Sequence, residues 1–85
     1  MNLQDCKVGD VVMTGDLYGL DLCVCITPSH YDKDFGFNVV TFLCLTNGNI
    51  HDSGSSNSTY EDDCNYVTNI SQEEVDVIIE KWKID

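Results

Sequence analysis

The strongest structural signal in the 85-residue chain is the stretch FGFNVVTFLCLTNGNIHD, residues 35–52. Residues 35–45 are apolar at both odd and even positions, which is typical of a central strand covered on both sides. Asn47-Gly48 then favours a type I′ turn, because both residues tolerate a positive φ. The stretch therefore predicts a hairpin in which residues 39–46 pair with Ile50-His51-Asp52.

Two more strands are predicted on the amino-terminal side of this hairpin. Residues 19–27 alternate between apolar positions and polar or cysteine positions, which indicates a strand with one buried face and one half-polar face. A shorter strand, residues 11–14, lies between two Gly-Asp turns. Pro28 has no backbone donor, so we expect it to end the longer strand and to leave residues 29–34 as a charged loop.

The carboxyl-terminal segment carries a last strand candidate, residues 65–70, and then a helix. Ser71 and Glu74 have the spacing of a capping box, which predicts a helix over residues 71–84. Four apolar residues follow at i, i+3, i+4 and i+7 and form one stripe that should pack against the sheet. They are Val75, Ile78, Ile79 and Trp82.

These elements predict a mainly β (α+β) protein that forms a single domain over residues 1–85. Residues 7–70 should form a small antiparallel barrel or curled sheet of about five strands. Residues 71–84 should form one C-terminal amphipathic helix that covers it.

The composition restricts the kind of partner. Fifteen Asp and Glu face four Lys and no Arg, giving a formal net charge of −11. Nucleic-acid binding draws its affinity from Lys and Arg, and an anionic membrane surface would repel this chain. We therefore expect no direct nucleic-acid or membrane binding and favour a protein partner with a basic surface, with solubility as the alternative reason for the acidity.

The cysteines and the absence of targeting signals suggest a compartment. Residues 1–5 lack a basic and apolar leader, and no apolar run approaches the roughly 20 residues that span a bilayer. We therefore expect a cytoplasmic protein. Its five cysteines should then be reduced and should pack as small hydrophobic residues. They are Cys6, Cys23, Cys25, Cys44 and Cys64.

No catalytic, cofactor or metal site is predicted. Cys23-x-Cys25 is one close pair, whereas a structural zinc site usually has two. The acidic loop over residues 52–63 lacks the glycine that a calcium loop has at its sixth position. His30 and His51 belong to no motif that would place a nucleophile beside a base. We therefore expect a protein that is not an enzyme.

Two acidic segments are candidate contacts with a protein partner. The first contains a tyrosine between acids, and tyrosine is a frequent anchor of protein interfaces. The second is a run of three adjacent acids. The candidate residues are Tyr31, Asp32, Asp34, Glu61, Asp62 and Asp63. Tyr18, Phe35 and Phe37 are further aromatic candidates, for which ordinary packing at the end of the sheet is the alternative.

Three segments resemble the short SH3-like barrel proteins encoded by many bacteriophages. They are Lys7-Val8-Gly9-Asp10-Val11-Val12, the turn over residues 47–51, and Val67-Thr68-Asn69-Ile70-Ser71. The resemblance implies an SH3-like barrel and an accessory role, and some small phage proteins of this size bind and disable host factors. It carries over no site residue. The long middle strands, the Ser-rich loop at residues 53–59 and the appended helix depart from the pattern.

The favoured hypothesis is a non-enzymatic acidic protein-binding module. The resemblance implies, more specifically, a phage accessory protein that binds and inhibits a host enzyme or defence factor in the host cytoplasm. A DNA mimic, whose carboxylates imitate phosphates on a DNA-binding protein, is one alternative. An oligomeric protein that binds or sequesters a nucleotide between subunits is another. A structural component of a larger assembly is the third.

Overall fold

The computed structural model describes residues 3–16, 19–54 and 65–82 of the chain. In chain order the elements are a 3-10 turn at Leu3–Asp5, strands β1 (Asp10–Asp16), β2 (Gly19–Asp32), β3 (Phe37–Cys44), β4 (Ile50–Gly54) and β5 (Asn65–Asn69), and helix α1 (Gln72–Trp82). The strands form one antiparallel sheet in the order β4-β3-β2-β1-β5. The prediction of a mainly β protein with five strands and one C-terminal helix is confirmed. Among the described residues the sheet is open, with β4 and β5 as its edges.

Strand β3 is buried on both faces, as its apolar composition predicted. Val40 and Phe42 are fully buried on one face, and Val39 and Leu43 are almost fully buried on the other. We call the first the cysteine face, because its buried cluster comprises Cys6, Val12, Cys23, Cys25, Val40, Phe42 and Cys44. We call the second the helix face, because its cluster of Val11, Val24 and Leu43 includes Val75 of α1.

The face of β2 that was predicted to be half polar is polar only at its ends, where Asp21 and Thr27 are exposed. Cys23 and Cys25 lie between them and are as fully buried as Val24, which points to the opposite face. They pack as small hydrophobic residues, as predicted, so this part of the strand supplies core to both sides of the sheet.

Strand β2 also runs past Pro28 to Asp32, so the predicted stop at this proline is wrong. Its pairing with β1 extends only as far as Val24, and its pairing with β3 shifts register between Cys25 and Thr27 and again between Thr27 and His30. Pro28 therefore lies in an irregular, one-sided part of the strand, where a missing donor is tolerated. Between β2 and β3, the turn is limited to the four residues 33–36.

The predicted hairpin of β3 and β4 is confirmed, with Leu43 opposite Ile50. Its turn is not type I′, because Gly48 has a positive φ of 74° and Asn47 does not. The Asn47 side chain accepts a hydrogen bond from the Asn49 amide at 2.9 Å, and the Gly48 amide donates to the Cys44 carbonyl at 2.8 Å. The result is a wider loop that needs one left-handed residue instead of two.

Helix α1 begins as the capping pattern predicted, with the Glu74 amide donating to the Ser71 hydroxyl at 3.2 Å. It is described as far as Trp82, and the predicted residues 83 and 84 lie outside the described part. The indole of Trp82 lies against the β3–β4 loop: a Cβ added to Gly48 would be only 2.3 Å from its Cε3 atom. The end of the helix is thus held on the hairpin that the sequence specifies most strongly.

Replacing Trp82 with alanine should lower the free energy of unfolding by about 2–4 kcal/mol, because it uncovers the helix face beside Gly48. Val77→Ala is the matched control on the same helix, since Val77 is 69% exposed and its truncation should cost less than about 0.5 kcal/mol. Urea unfolding of both variants gives the comparison. Equal losses would show that the indole does not secure the helix.

A single turn before β1 joins three strands. The Gly9 amide donates to the Cys25 carbonyl at 3.0 Å, and the Ile70 amide donates to the Gly9 carbonyl at 2.9 Å. The Asp10 carboxylate is buried, and it accepts from the Lys7 amide at 2.9 Å and from the Asn69 side-chain amide at 2.7 Å. These bonds satisfy the buried carboxylate and connect the start of β1 to β2 and to the end of β5.

Gly9→Ala should therefore lower the free energy of unfolding by at least about 3 kcal/mol. The φ of Gly9 is +93°, and an added Cβ would lie 2.2 Å from the Ile70 carbonyl oxygen. Gly36→Ala is the control, because its φ is also positive, at +80°, but an added Cβ would meet nothing within 4 Å. The control should lose about 1 kcal/mol from backbone strain alone. Urea unfolding that ranks the two variants equally would contradict the close contact at Gly9.

Candidate functional site

Three of the predicted partner-binding residues lie together where β2 meets β3. We call residues 31–37 the hairpin tip. One carboxylate oxygen of Asp32 accepts hydrogen bonds from the Asp34 amide at 2.8 Å and from the Phe35 amide at 3.2 Å. The Gly36 amide donates to the Asp32 carbonyl at 2.8 Å. Asp32 therefore builds the turn that presents its neighbours, in the way that Asp side chains stabilise turns elsewhere.

The hairpin tip exposes aromatic side chains between acids. Tyr31 is 67% exposed and Phe35 is 55% exposed, while Asp34 is also exposed. Tyr31 pairs with Asn38, and Asp32 pairs with Phe37 one step along the ladder. Neighbouring positions of a strand point to opposite faces, so Tyr31 lies on the other side of the hairpin from Asp32. The structure thus separates two residues that are adjacent in the sequence.

A small cleft adjoins the hairpin tip on the side of Asp32 and Phe37. Its volume is about 80 Å³, and it is lined by Phe35, Phe37, Val39, Asp52 and Gly54. The rings of Phe35 and Phe37 are 5.6 Å apart and tilted by 38°. Val39 lies opposite Gly54 in the β3–β4 ladder, so the edge strand brings one carboxylate and one residue without a side chain to the aromatic pair.

Gly54 is necessary for the shape of this cleft. A Cβ at this position would lie 2.4 Å from the Asn38 carbonyl oxygen and 3.2 Å from a ring carbon of Phe37. The hydroxyl of Thr41 donates a hydrogen bond to one carboxylate oxygen of Asp52 on the neighbouring strand. Sequence reasoning assigned no role to Gly54 or to the Asp52 carboxylate at this site, although the predicted hairpin register already placed Asp52 opposite β3.

A second surface lies on the outer side of α1. Glu73, Glu74, Val77 and Ile78 line an open groove of about 380 Å³. The predicted candidates Glu61, Asp62 and Asp63 lie outside the described residues, as does Tyr18. The hairpin tip is therefore the part of the predicted partner-binding surface that lies within the described residues.

The cysteine face holds a pair of buried thiols, Cys23 and Cys44. Cys23 lies directly opposite Cys44 in the β2–β3 ladder, and both are free thiols. Burial, followed by the neighbouring Cys44, raises the pKa of Cys23 from 9.0 to about 12. The thiolate is the nucleophile and the metal ligand, so Cys23 is poorly suited to either task near neutral pH. Within the described ranges, no three or more His, Cys, Asp and Glu side chains are grouped closely enough to hold a metal ion.

The raised pKa of Cys23 predicts a loss of stability in alkaline solution. Below pH 9 this thiol is neutral in both the folded and the unfolded chain. As pH rises from 9 towards 12 the unfolded chain loses this proton first, so the free energy of unfolding should fall by roughly 3–4 kcal/mol. Denaturant unfolding between pH 7 and pH 11 should show the part of that decline reached by pH 11, about 2–3 kcal/mol, and Cys23→Ala should reduce it.

Val75→Ala is the control for this measurement, since Val75 is fully buried on the helix face, in the cluster that does not contain Cys23, and does not titrate. It should lower stability at every pH and leave the alkaline decline unchanged. An equally steep decline in Cys23→Ala would mean that other groups cause it.

No protein-family model, curated protein or solved structure matches the chain. In the described part of the chain, no helix combines the length and the apolar character needed to cross a membrane. The hairpin tip and its cleft are therefore the features of the described chain that bear on its function.

Proposed function

We propose that this protein is a non-enzymatic acidic module that binds a protein with a basic surface through its hairpin tip. The observation that carries the proposal is the exposure of Phe35, which is 55% accessible beside Asp32 and Asp34 on a hydrogen-bonded turn. Aromatic residues, phenylalanine included, are enriched in protein interfaces relative to the rest of the protein surface. Phe35 is the anchor in this proposal, and the acids beside it select the partner.

The rigidity of the tip supports this role. Three hydrogen bonds to Asp32, from the amides of Asp34, Phe35 and Gly36, hold the turn before any partner arrives. Binding through a preformed turn avoids much of the entropy cost of ordering a loop. An exposed aromatic side chain on such a turn can therefore convert more of its buried area into affinity than one on a mobile loop.

The net charge of −11 supports the choice of a basic partner. A field of one sign accelerates the encounter with a surface of the opposite sign, and this effect weakens as salt shortens the Debye length from about 8 Å at physiological ionic strength. The same field discriminates against acidic surfaces. Affinity should therefore combine a part that depends on salt with an apolar part from Phe35 that does not.

The resemblance of residues 7–12, 47–51 and 67–71 to short phage proteins supports a more specific version of the proposal. In this version the protein acts in the cytoplasm of a host cell and inhibits a host enzyme or defence factor by covering its basic surface. A surface that the partner uses to bind DNA would be a target of this kind. Competition with DNA for the captured partner would assign the protein to the DNA-mimic class.

The test is capture of a partner from host lysate by the immobilised chain, at about 50 mM and about 500 mM salt. The captured protein is then purified and its affinity measured for Phe35→Ala and for Val77→Ala, which removes an equally exposed apolar side chain from α1. We expect retention at low salt, and at least about a tenfold loss of affinity for Phe35→Ala with no loss for Val77→Ala. Failure to retain any partner at either salt concentration would refute the proposal, and so would a partner that responds only to Val77→Ala.

A further inference from the structure

We propose that the cleft beside the hairpin tip is a socket for the guanidinium group of one arginine of the partner. The inference rests on the proposed function and makes the chemistry of the partner specific. Its basis is a pair of phenylalanine rings, an apolar floor at Val39 and a single carboxylate from Asp52 around one small opening.

The size of the cleft excludes a free metabolite as the natural occupant. Sites for small molecules usually measure about 300–1,000 Å³. The cleft measures about 80 Å³, which is room for the end of one side chain. Its occupant is therefore part of a larger molecule whose remaining contacts lie elsewhere, and the neighbouring tip residues Phe35 and Asp34 are positioned to make them.

The chemistry of the walls favours guanidinium over ammonium. A guanidinium group is planar and weakly hydrated, and it stacks on aromatic faces while donating to a carboxylate. An ammonium group is strongly hydrated and loses more when it enters an opening walled by Phe35, Phe37 and Val39. The cleft presents both surfaces that guanidinium uses, because the rings and the carboxylate of Asp52 line the same opening.

Thr41 orients the carboxylate for this contact. Its hydroxyl donates to one oxygen of Asp52, and within the described part of the chain no residue donates to the other oxygen. A carboxylate fixed through one oxygen presents the other in a defined direction, which strengthens a charge-assisted hydrogen bond. The pairing of Thr41 with Asp52 across β3 and β4 places this hydrogen-bonded carboxylate at the cleft.

A second copy of this chain is not the occupant. The chain contains no arginine, and its formal net charge of −11 opposes self-association through an acidic surface. The guanidinium must therefore come from a different protein. This agrees with a partner whose surface is basic, and it narrows the contact to one cationic side chain inserted beside Phe35 and Phe37.

The experiment is an NMR titration of the full ¹⁵N-labelled chain with N-acetyl-arginine methylamide at constant ionic strength. The matched probe is N-acetyl-citrulline methylamide, which has the same shape and no charge. We expect saturable shifts for the amides around Phe37 and Gly54 with a Kd on the order of 10 mM, and at least about tenfold weaker binding of the citrulline probe. The corresponding lysine probe should also bind more weakly than the arginine probe.

Asp52→Asn is the decisive variant, because asparagine can keep the oxygen that accepts from Thr41 while it removes the charge and replaces the other oxygen with an amino group, which cannot accept from guanidinium. It should abolish saturation by the arginine probe. Asp5→Asn, which removes one charge from the exposed Asp5 in the 3-10 turn, should leave the titration unchanged. Four results would each contradict the proposed arginine socket. They are equal binding of the arginine and citrulline probes, unchanged binding by Asp52→Asn, the absence of saturable shifts, and shifts centred on α1.

The socket and the proposed function can fail separately. A captured partner that needs Phe35 but binds Asp52→Asn with full affinity would preserve the proposed function and remove the socket. Specific arginine binding at the cleft, without any captured protein, would preserve the socket and remove the proposed function.

Discussion

The constraint on which the rest of the structure depends is the burial of β3 on both faces. An 85-residue chain has little surface that it can bury, and here one strand of eight residues buries Val40 and Phe42 on one face and Val39 and Leu43 on the other. Neither face of β3 is free for binding over most of its length. Beside this strand, exposed apolar side chains lie at its two ends, where Phe35 precedes it and Ile50 follows it.

The two ends of β3 are used differently. At its carboxyl end the loop around Gly48 supports the indole of Trp82, so this end contributes to stability. At its amino end the turn is closed by hydrogen bonds to Asp32, and Phe35 is left accessible. Trp82 packs on the protein's own loop and stabilises the fold. Phe35 lies on a closed turn in solvent and is available to another molecule.

Much of the fold could be predicted from the sequence, because its strongest signals are local. The apolar stretch up to Leu45, the Asn47-Gly48 turn and the capping pattern at Ser71 each depend on residues close in the chain, and each led to the correct element. The predicted end of β2 at Pro28 is wrong because the extent of this strand depends on which strands lie alongside it. Neighbours of this kind are decided by the whole sheet and cannot be read from local spacing.

The candidate site also has a part that could be predicted from adjacent residues and a part that depends on strand pairing. Tyr31, Asp32 and Asp34 could be grouped because they are adjacent in the chain, yet the ladder turns Tyr31 away from Asp32 and commits one oxygen of Asp32 to the turn. Asp52 is some twenty residues away from Asp32 in the chain, and it reaches the cleft because it pairs with Thr41 across β3 and β4. A net charge that looks diffuse in the composition thus becomes specific where a strand pairing places one carboxylate against aromatic rings. In the proposed complex, the long-range field would attract a basic protein, and this local arrangement would distinguish one cationic side chain from another.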